Sequence, residues 1–217
     1  MFVTIEGVEG SGKTTVARDL VHRLEQDYPG RIVHVREPGG TPVGERLRSI
    51  LLDHDMPPIA KACVVSAARA CVMHDVVLPA LRDNKIVICD RHVDTTLVMQ
   101  GYGEGVELAN LRSLIAWTTY GALPDLTLYL DIDPVAGFER KTQQGEINYL
   151  DQLSLTLGSK YREGYQELIL IDPARWRIID ASASMHEVTT LAYWMVIGSS
   201  MFRTWETNEE AENRRST

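Results

Sequence analysis

Eight residues near the N-terminus, Gly7-Val8-Glu9-Gly10-Ser11-Gly12-Lys13-Thr14, match the phosphate-binding pattern G-x-x-x-x-G-K-[ST] at every fixed position. The pattern constrains the fold as much as the ligand, because it works only between a strand and a helix. Both neighbours are legible. Phe2–Ile5 reads as a short buried strand, and Thr15 to Leu24 carries Val16, Leu20, Val21 and Leu24 at helical spacing. In such a loop Gly7, Gly10 and Gly12 let the backbone turn tightly and aim its N–H groups inward. Ser11 and Thr15 belong to the same cradle, and the helix N-terminus adds positive partial charge. Lys13 is expected to reach the β- and γ-phosphates of a nucleoside triphosphate, and Thr14 to offer its hydroxyl to Mg²⁺.

Further buried-strand candidates recur at Arg31–Val35, Lys85–Cys89, Leu126–Leu130 and Arg177–Ile179, with segments between them long enough for helices. The alternation predicts an α/β fold: a P-loop NTPase three-layer sandwich with about five parallel strands and helices on both faces. A length of 217 residues suits one such domain, here residues 1–207. Asn208 to Thr217 is polar with no apolar anchor and is expected to be a disordered tail. The longest helical candidate, Lys61 to Leu81, is apolar over more than one face, which fits burial against a partner subunit or ordinary core packing. Ligands in such sheets bind beyond the carboxyl ends of the strands, which directs attention to Glu6-Gly7, Arg36-Glu37, Asp90-Arg91 and Asp131.

A net charge of −8 argues against a nucleic-acid partner and for a small anionic substrate bound by local basic clusters. Cys63, Cys71 and Cys89 are odd in number, lack metal-ligand spacing and lie in apolar runs, as buried free thiols in a reducing compartment would. The chain starts directly with the strand that feeds the phosphate loop, so a cytoplasmic protein is expected. No membrane partner is expected either, since the apolar stretch Leu191 to Ile197 is far shorter than the roughly 20 residues a bilayer requires.

A P-loop alone does not choose among motors, GTPases and small-molecule kinases. Arginines after the second and third strands and in the long helix could form a second anion site, because a guanidinium fork matches two phosphate oxygens. They lie in Arg36-Glu37-Pro38-Gly39-Gly40-Thr41, in Ala67-Ala68-Arg69 and in Asp90-Arg91-His92. With Gly44-Glu45-Arg46-Leu47-Arg48, Asp94-Thr95-Thr96, Gln100-Gly101, Leu123-Pro124-Asp125-Leu126-Thr127 and Tyr161-Arg162-Glu163-Gly164-Tyr165, these strings resemble the bacterial-type thymidylate kinase family over roughly residues 1 to 185.

The resemblance implies ATP and Mg²⁺ as cofactors, a nucleoside monophosphate as partner and a homodimer. It implies that Lys13 stabilises the transferring phosphoryl group, that Thr14 and Asp90 serve the metal, and that Glu9 meets the sugar 3′-hydroxyl or its solvent. Arg91 and Arg48 would hold the acceptor phosphate, and Arg69 and Thr96 the edge of the base. Glu37, Pro38, Val65, Thr95, Met99 and Gln100 would complete the acceptor pocket.

The chain departs from the pattern in two places. Val65 and Met99 stand where relatives carry a Phe that stacks on thymine and a Tyr beside the sugar, so two rings are missing from one pocket. In the lid, about residues 141–151, Tyr149 stands at an expected arginine, and Glu104 sits where Gly-Arg-Gly is common. Arg140 and Lys141 are the two basic residues between Pro134 and Lys160, so one of them, with Arg140 taken as catalytic, is expected to face the transferring phosphate. The implied activity is phosphorylation of dTMP to dTDP. The departures leave open a kinase for another pyrimidine deoxynucleotide, including one modified at C5 or C4, and a catalytically weak nucleotide-binding relative.

Overall fold

The structure is a computed structural model that describes residues 1–143, 145 and 149–216, without the side chains of 149–152, 154 and 210–216. Five strands, β1 (Phe2–Glu6), β2 (Ile32–Arg36), β3 (Ile86–Asp90), β4 (Leu126–Asp131) and β5 (Trp176–Asp180), form one parallel sheet in the order β2-β3-β1-β4-β5. The three central strands read as unbroken apolar runs because helices cover both of their faces, and β1 and β3 are buried at every position. The edge strands alternate, with His34 and Ile178 turned to solvent. Each of the five expected strands is present, shifted or extended by one or two residues at its ends.

Helix α1 (Lys13–Asp27) buries Val16, Ala17, Leu20 and Leu24 against the sheet. Next come α2 (Pro42–Asp53), α3 (Pro58–Val72), a π-helical turn (Met73–Val77) and α4 (Leu78–Arg82). The last three make one continuous rod, Pro58–Arg82, whose length and apolarity match a membrane span, a candidate that outranks Leu191–Ile197. Its buried side chains include Val65, Ser66, Arg69 and Val72, so it packs as a core helix. Cys63 on the same rod is exposed and Cys71 half-buried, so only Cys89 is the buried thiol expected of all three.

The remaining helices are α5 (Val93–Thr96), which runs into a π-helical segment (Leu97–Gly103), then α6 (Leu108–Thr118), α7 (Pro134–Thr142), α8 (Tyr149–Ile171), α9 (Met185–Ile197) and α10 (Ser200–Ser216). The segment expected as a tail begins inside α10. Phe202 and Trp205 are buried against Tyr28, and the Trp205 indole donates to the Asn84 carbonyl at 2.7 Å. That docking carries the polar continuation as helix past residue 207, and Glu209 still pairs with Arg31.

Strand register sets the site. Ile5 lies opposite Asp90 on one side and Leu128 on the other, so β1 and β3 end within one residue of each other and β4 runs two residues beyond the partner of Glu6. The Arg91 amide donates to the Ile5 carbonyl at 3.0 Å, which ties the loop after β3 to the strand that feeds the P-loop.

Candidate active site

A cleft of about 1200 Å³ opens at the carboxyl edge of the sheet, between the P-loop, the loop after β3, α3 and the segment after β5. Glu9, Gly10, Gly12, Lys13, Thr14 and Thr15 line it, whereas Gly7 and Ser11 lie beneath and shape the loop. Gly10 has φ +73°, and a Cβ there would fall 1.7 Å from the Gly137 carbonyl oxygen. A Cβ on Gly137 would in turn fall 2.4 Å from the Glu9 carbonyl oxygen. The P-loop and α7 therefore meet backbone to backbone.

The Lys13 ammonium donates to the Val8 carbonyl at 2.8 Å and the Ser11 hydroxyl at 3.3 Å. Burial, and then Arg91, lower its pKa to about 8, against the opposing pull of Glu9, Asp90 and Glu6. The Thr14 hydroxyl donates to Asp90 Oδ2 at 2.5 Å, and Asp90 Oδ1 is buried with no hydrogen-bond partner. Two hard oxygen donors, one of them an unpaired carboxylate oxygen, fit a magnesium ion placed beside phosphates.

Facing them across the P-loop are Glu9 and Arg91, whose side chains form an ion pair. Arg91 has a left-handed backbone, φ +68°, a conformation that non-glycine residues hold mainly at functional sites. Its Nη1 also donates to the Gly7 carbonyl at 3.3 Å. Burial works against the charge on Glu9, yet Arg91, Lys13, Lys141 and Arg48 together hold its pKa at about 2. Glu9 is therefore a fixed anion near neutral pH. Arg48 donates to the Pro38 carbonyl at 3.1 Å, and burial, Arg36 and Arg91 lower its pKa. Arg36 itself is committed to Glu45 at 2.6 Å.

Deeper in the cleft, Arg69 is fully buried. Its Nε donates to Glu37 Oε2 at 2.8 Å, and its Nη2 to the Thr96 hydroxyl at 2.7 Å and the His92 carbonyl at 3.2 Å. Nη1 has no partner, which leaves one donor for a base edge. Thr96, expected at the base edge, is buried outside the cleft lining and accepts from Arg69 at 2.7 Å. The Glu37 carboxylate is occupied by Arg69 and by His92 Nδ1 at 2.9 Å. Cys89 lies beside Glu37 and His92, but burial pushes its thiol well up, the thiol donates to the Arg91 carbonyl at 2.9 Å, and Glu37 is already engaged by Arg69 and His92, so the three are not arranged as metal ligands. Val65, Thr95, Met99 and Gln100 all line the cleft.

Glu6, which the sequence places at a strand end without assigning it a role, anchors the site from below. Its buried carboxylate accepts from the His92 amide at 2.8 Å, the Thr95 hydroxyl at 2.5 Å and the Tyr165 hydroxyl at 2.9 Å, which fixes the loop carrying Arg91. A carboxylate ending a largely apolar, fully buried central strand was the available signal.

The chain matches the thymidylate kinase family over residues 5–191. It is 43% identical over 201 residues to the thymidylate kinase of a Roseiflexus strain, covering 85% of this chain and 88% of that protein. With the thymidylate kinase of Staphylococcus haemolyticus the identity is 38% over 199 residues, covering 90% and 97%. The chain belongs to the thymidylate kinase family. The crystal structure of the Ehrlichia chaffeensis thymidylate kinase superposes with a TM-score of 0.71 at 28% identity, covering 91% of this chain and 97% of that one. The same family frame marks where this chain differs. Arg140, expected to be catalytic, donates instead to the carbonyls of Ala181 at 2.6 Å and Ser182 at 3.2 Å, which clamps the segment after β5. Arg140 and its neighbour Lys141 both line the cleft, and of the two Lys141 acts on Glu9. The rest of the expected lid, Tyr149 included, lies at or beyond the limits of the described residues and side chains.

Proposed function

We propose that this protein transfers the γ-phosphoryl group of ATP to dTMP, giving dTDP and ADP. The observation that carries this reading is that Lys13 and Thr14 on one side, and Arg91 and Arg48 on the other, converge on a single cleft about Glu9. Membership of the family supplies the substrate. An oxygen of the dTMP phosphate attacks the γ-phosphorus of ATP, that P–O bond forms, and the bond to the ADP oxygen breaks in line. The attacking oxygen carries no proton, so no general base is needed. A glutamate held at about 2 could not serve as one at neutral pH. Glu9 instead orients Arg91 and the sugar, while Lys13 and the arginines neutralise charge as it spreads over the transferring group.

Thr14 and Asp90 would hold Mg²⁺, which when bound neutralises phosphate charge. We assign the lid cation to Lys141, since Arg140 is engaged elsewhere. The homodimer that the family implies is supported by exposed Ile59 on α3 and exposed Trp117 on α6, two helices that pack together. Light scattering measures that state directly. Three free cysteines fit the cytoplasmic setting. The deciding experiment is a panel of deoxy- and ribonucleoside monophosphates with ATP, read by ADP release. Turnover with dTMP supports the reading, and no turnover with any monophosphate overturns it.

Two further outcomes are expected. The pKa of Lys13 in the nucleotide-free protein is about 8, and a bound triphosphate restores its charge. ATP binding at pH 8 then takes up about half a proton per site, and affinity falls as pH rises through 8. Calorimetry in two buffers of different ionisation enthalpy reads this uptake, and zero uptake contradicts it. Second, Val65→Phe restores a stacking face in the slot opposite Met99. A base–aromatic stack contributes about 1–3 kcal/mol, so KM for dTMP should fall by about tenfold, further with Met99→Tyr. An unchanged KM would mark Val65 and Met99 as neutral packing variants.

A further inference from the structure

The two walls of the proposed base slot are joined by two rungs. Lys61, Val65 and Arg69 follow at four-residue spacing along α3, so they share one helix face, and all three line the cleft. Opposite stand Thr96, Met99 and Glu104, from α5, the π-helical segment and the residue that ends it. The inner rung is the 2.7 Å bond between Arg69 and Thr96. Between this tie and the outer one, Val65 on α3 and Met99 on the π-helical segment both line the cleft, and both are apolar. The outer rung is an ion pair, Lys61 Nζ to Glu104 Oε1 at 2.5 Å, with side-chain exposures of only 4% and 7%.

A buried ion pair seldom stabilises a fold more than an apolar pair of the same size would, and its best-attested use is to fix register between elements. Glu104 is held from its own side as well, because Gln100 Nε2 donates to Glu104 Oε2 at 3.3 Å. Asp55, at 3.8 Å from Lys61, is mostly exposed and adds a weaker pull toward solvent. With a strong tie at each end and none in the middle, the distance between Val65 and Met99 is set by the outer rung as much as by the inner one.

We propose that the Lys61–Glu104 pair is a spacer that sets the width of the acceptor base slot, and so determines how well the enzyme discriminates pyrimidines differing at C5. Both are positioning residues and neither needs to touch the nucleotide. The proposal rests on the reading that the slot between Val65 and Met99 receives the thymine of dTMP. A slot of loose width loses the fit around a single methyl group, whose discrimination is worth at most about 10–200-fold.

The test compares Glu104→Gln, Lys61→Met and the reversed pair Lys61→Glu with Glu104→Lys. For each, KM and kcat are measured with dTMP and dUMP, together with KM for ATP and a thermal melt. Each single variant should raise KM for dTMP by about tenfold and narrow the dTMP-to-dUMP ratio of kcat/KM, with kcat and KM for ATP within about twofold. The reversed pair should restore both, since the Gln100 amide can turn its oxygen toward the new lysine. Folded single variants with native KM and native ratio overturn the proposal. So does a folded reversed pair as impaired as the single variants. If a single variant melts too low to assay, the reversed pair decides alone. Val65→Phe in the same assay separates the two readings. If it shifts KM for dTMP while the pair variants do not, the spacer fails and the slot stands; if none of them shifts it, the slot itself is misplaced.

Discussion

Lys13→Ala reduces phosphoryl transfer by at least about 10³-fold and leaves the fold intact. The ammonium is the one P-loop charge placed to neutralise the bridging and terminal oxygens of the triphosphate, and Ala supplies nothing in its place. Its present hydrogen bonds are local, to Val8 and Ser11, so their loss stays within the loop. Lys13 is nonetheless a buried residue rather than a solvent-facing one, and this decides the sign of the stability change. Its folded pKa, about 8, lies below the unfolded value of 10.5, so the folded state carries the cost of a buried charge below pH 8. Between pH 8 and 10.5 that cost is relieved and wild-type stability rises from this group. The Ala variant should therefore melt no lower than wild type at pH 7, with any advantage fading by pH 10. Native turnover, or a variant that fails to fold, would contradict the assignment.

Arg91→Ala should raise KM for dTMP by about 10²-fold with a far smaller effect on ATP affinity. Two charge-assisted hydrogen bonds to a phosphate, each worth about 1.5–3 kcal/mol, account for that magnitude. Removing Arg91 also strips Glu9 of the foremost of the cations that hold it at about 2, so its carboxyl should titrate at higher pH in the variant. Separate calorimetric titrations of dTMP and of a non-hydrolysable ATP analogue test this. If ATP affinity falls and dTMP affinity does not, donor and acceptor sides are reversed.

Much of this protein is legible from its residues, for definite reasons. β1, β3 and β4 are recognisable because strands buried on both faces tolerate little but apolar residues, and the P-loop because a backbone phosphate cradle admits few alternatives. What stayed hidden is pairing between distant segments. Nothing local in the sequence says that Lys61 meets Glu104, that Tyr165 reaches Glu6, or that Arg140 turns to the carbonyls of residues 181 and 182. Arg140 and Lys141 are adjacent on α7, and a helix sends adjacent side chains about 100° apart. One of them therefore faces the P-loop while the other clamps the segment after β5, a division that composition cannot reveal. The docking of α10 was hidden for a related reason: its anchors, Phe202 and Trp205, precede the polar stretch on which the tail expectation rests.

The contact of Gly10 with Gly137 restricts which variants of this enzyme can exist. Each glycine is crowded by the main chain of the other segment, not by a side chain that a second mutation could trim. A substitution at either position therefore has no suppressor elsewhere, and changing both together makes the clash worse. In a library that randomises the cleft, Val65 and Met99 should drift widely, because other side chains can repack around them. Gly10 and Gly137 should return unchanged in every active clone. The two positions form a single constraint on descent, although one lies in the phosphate motif and the other belongs to a helix far along the chain.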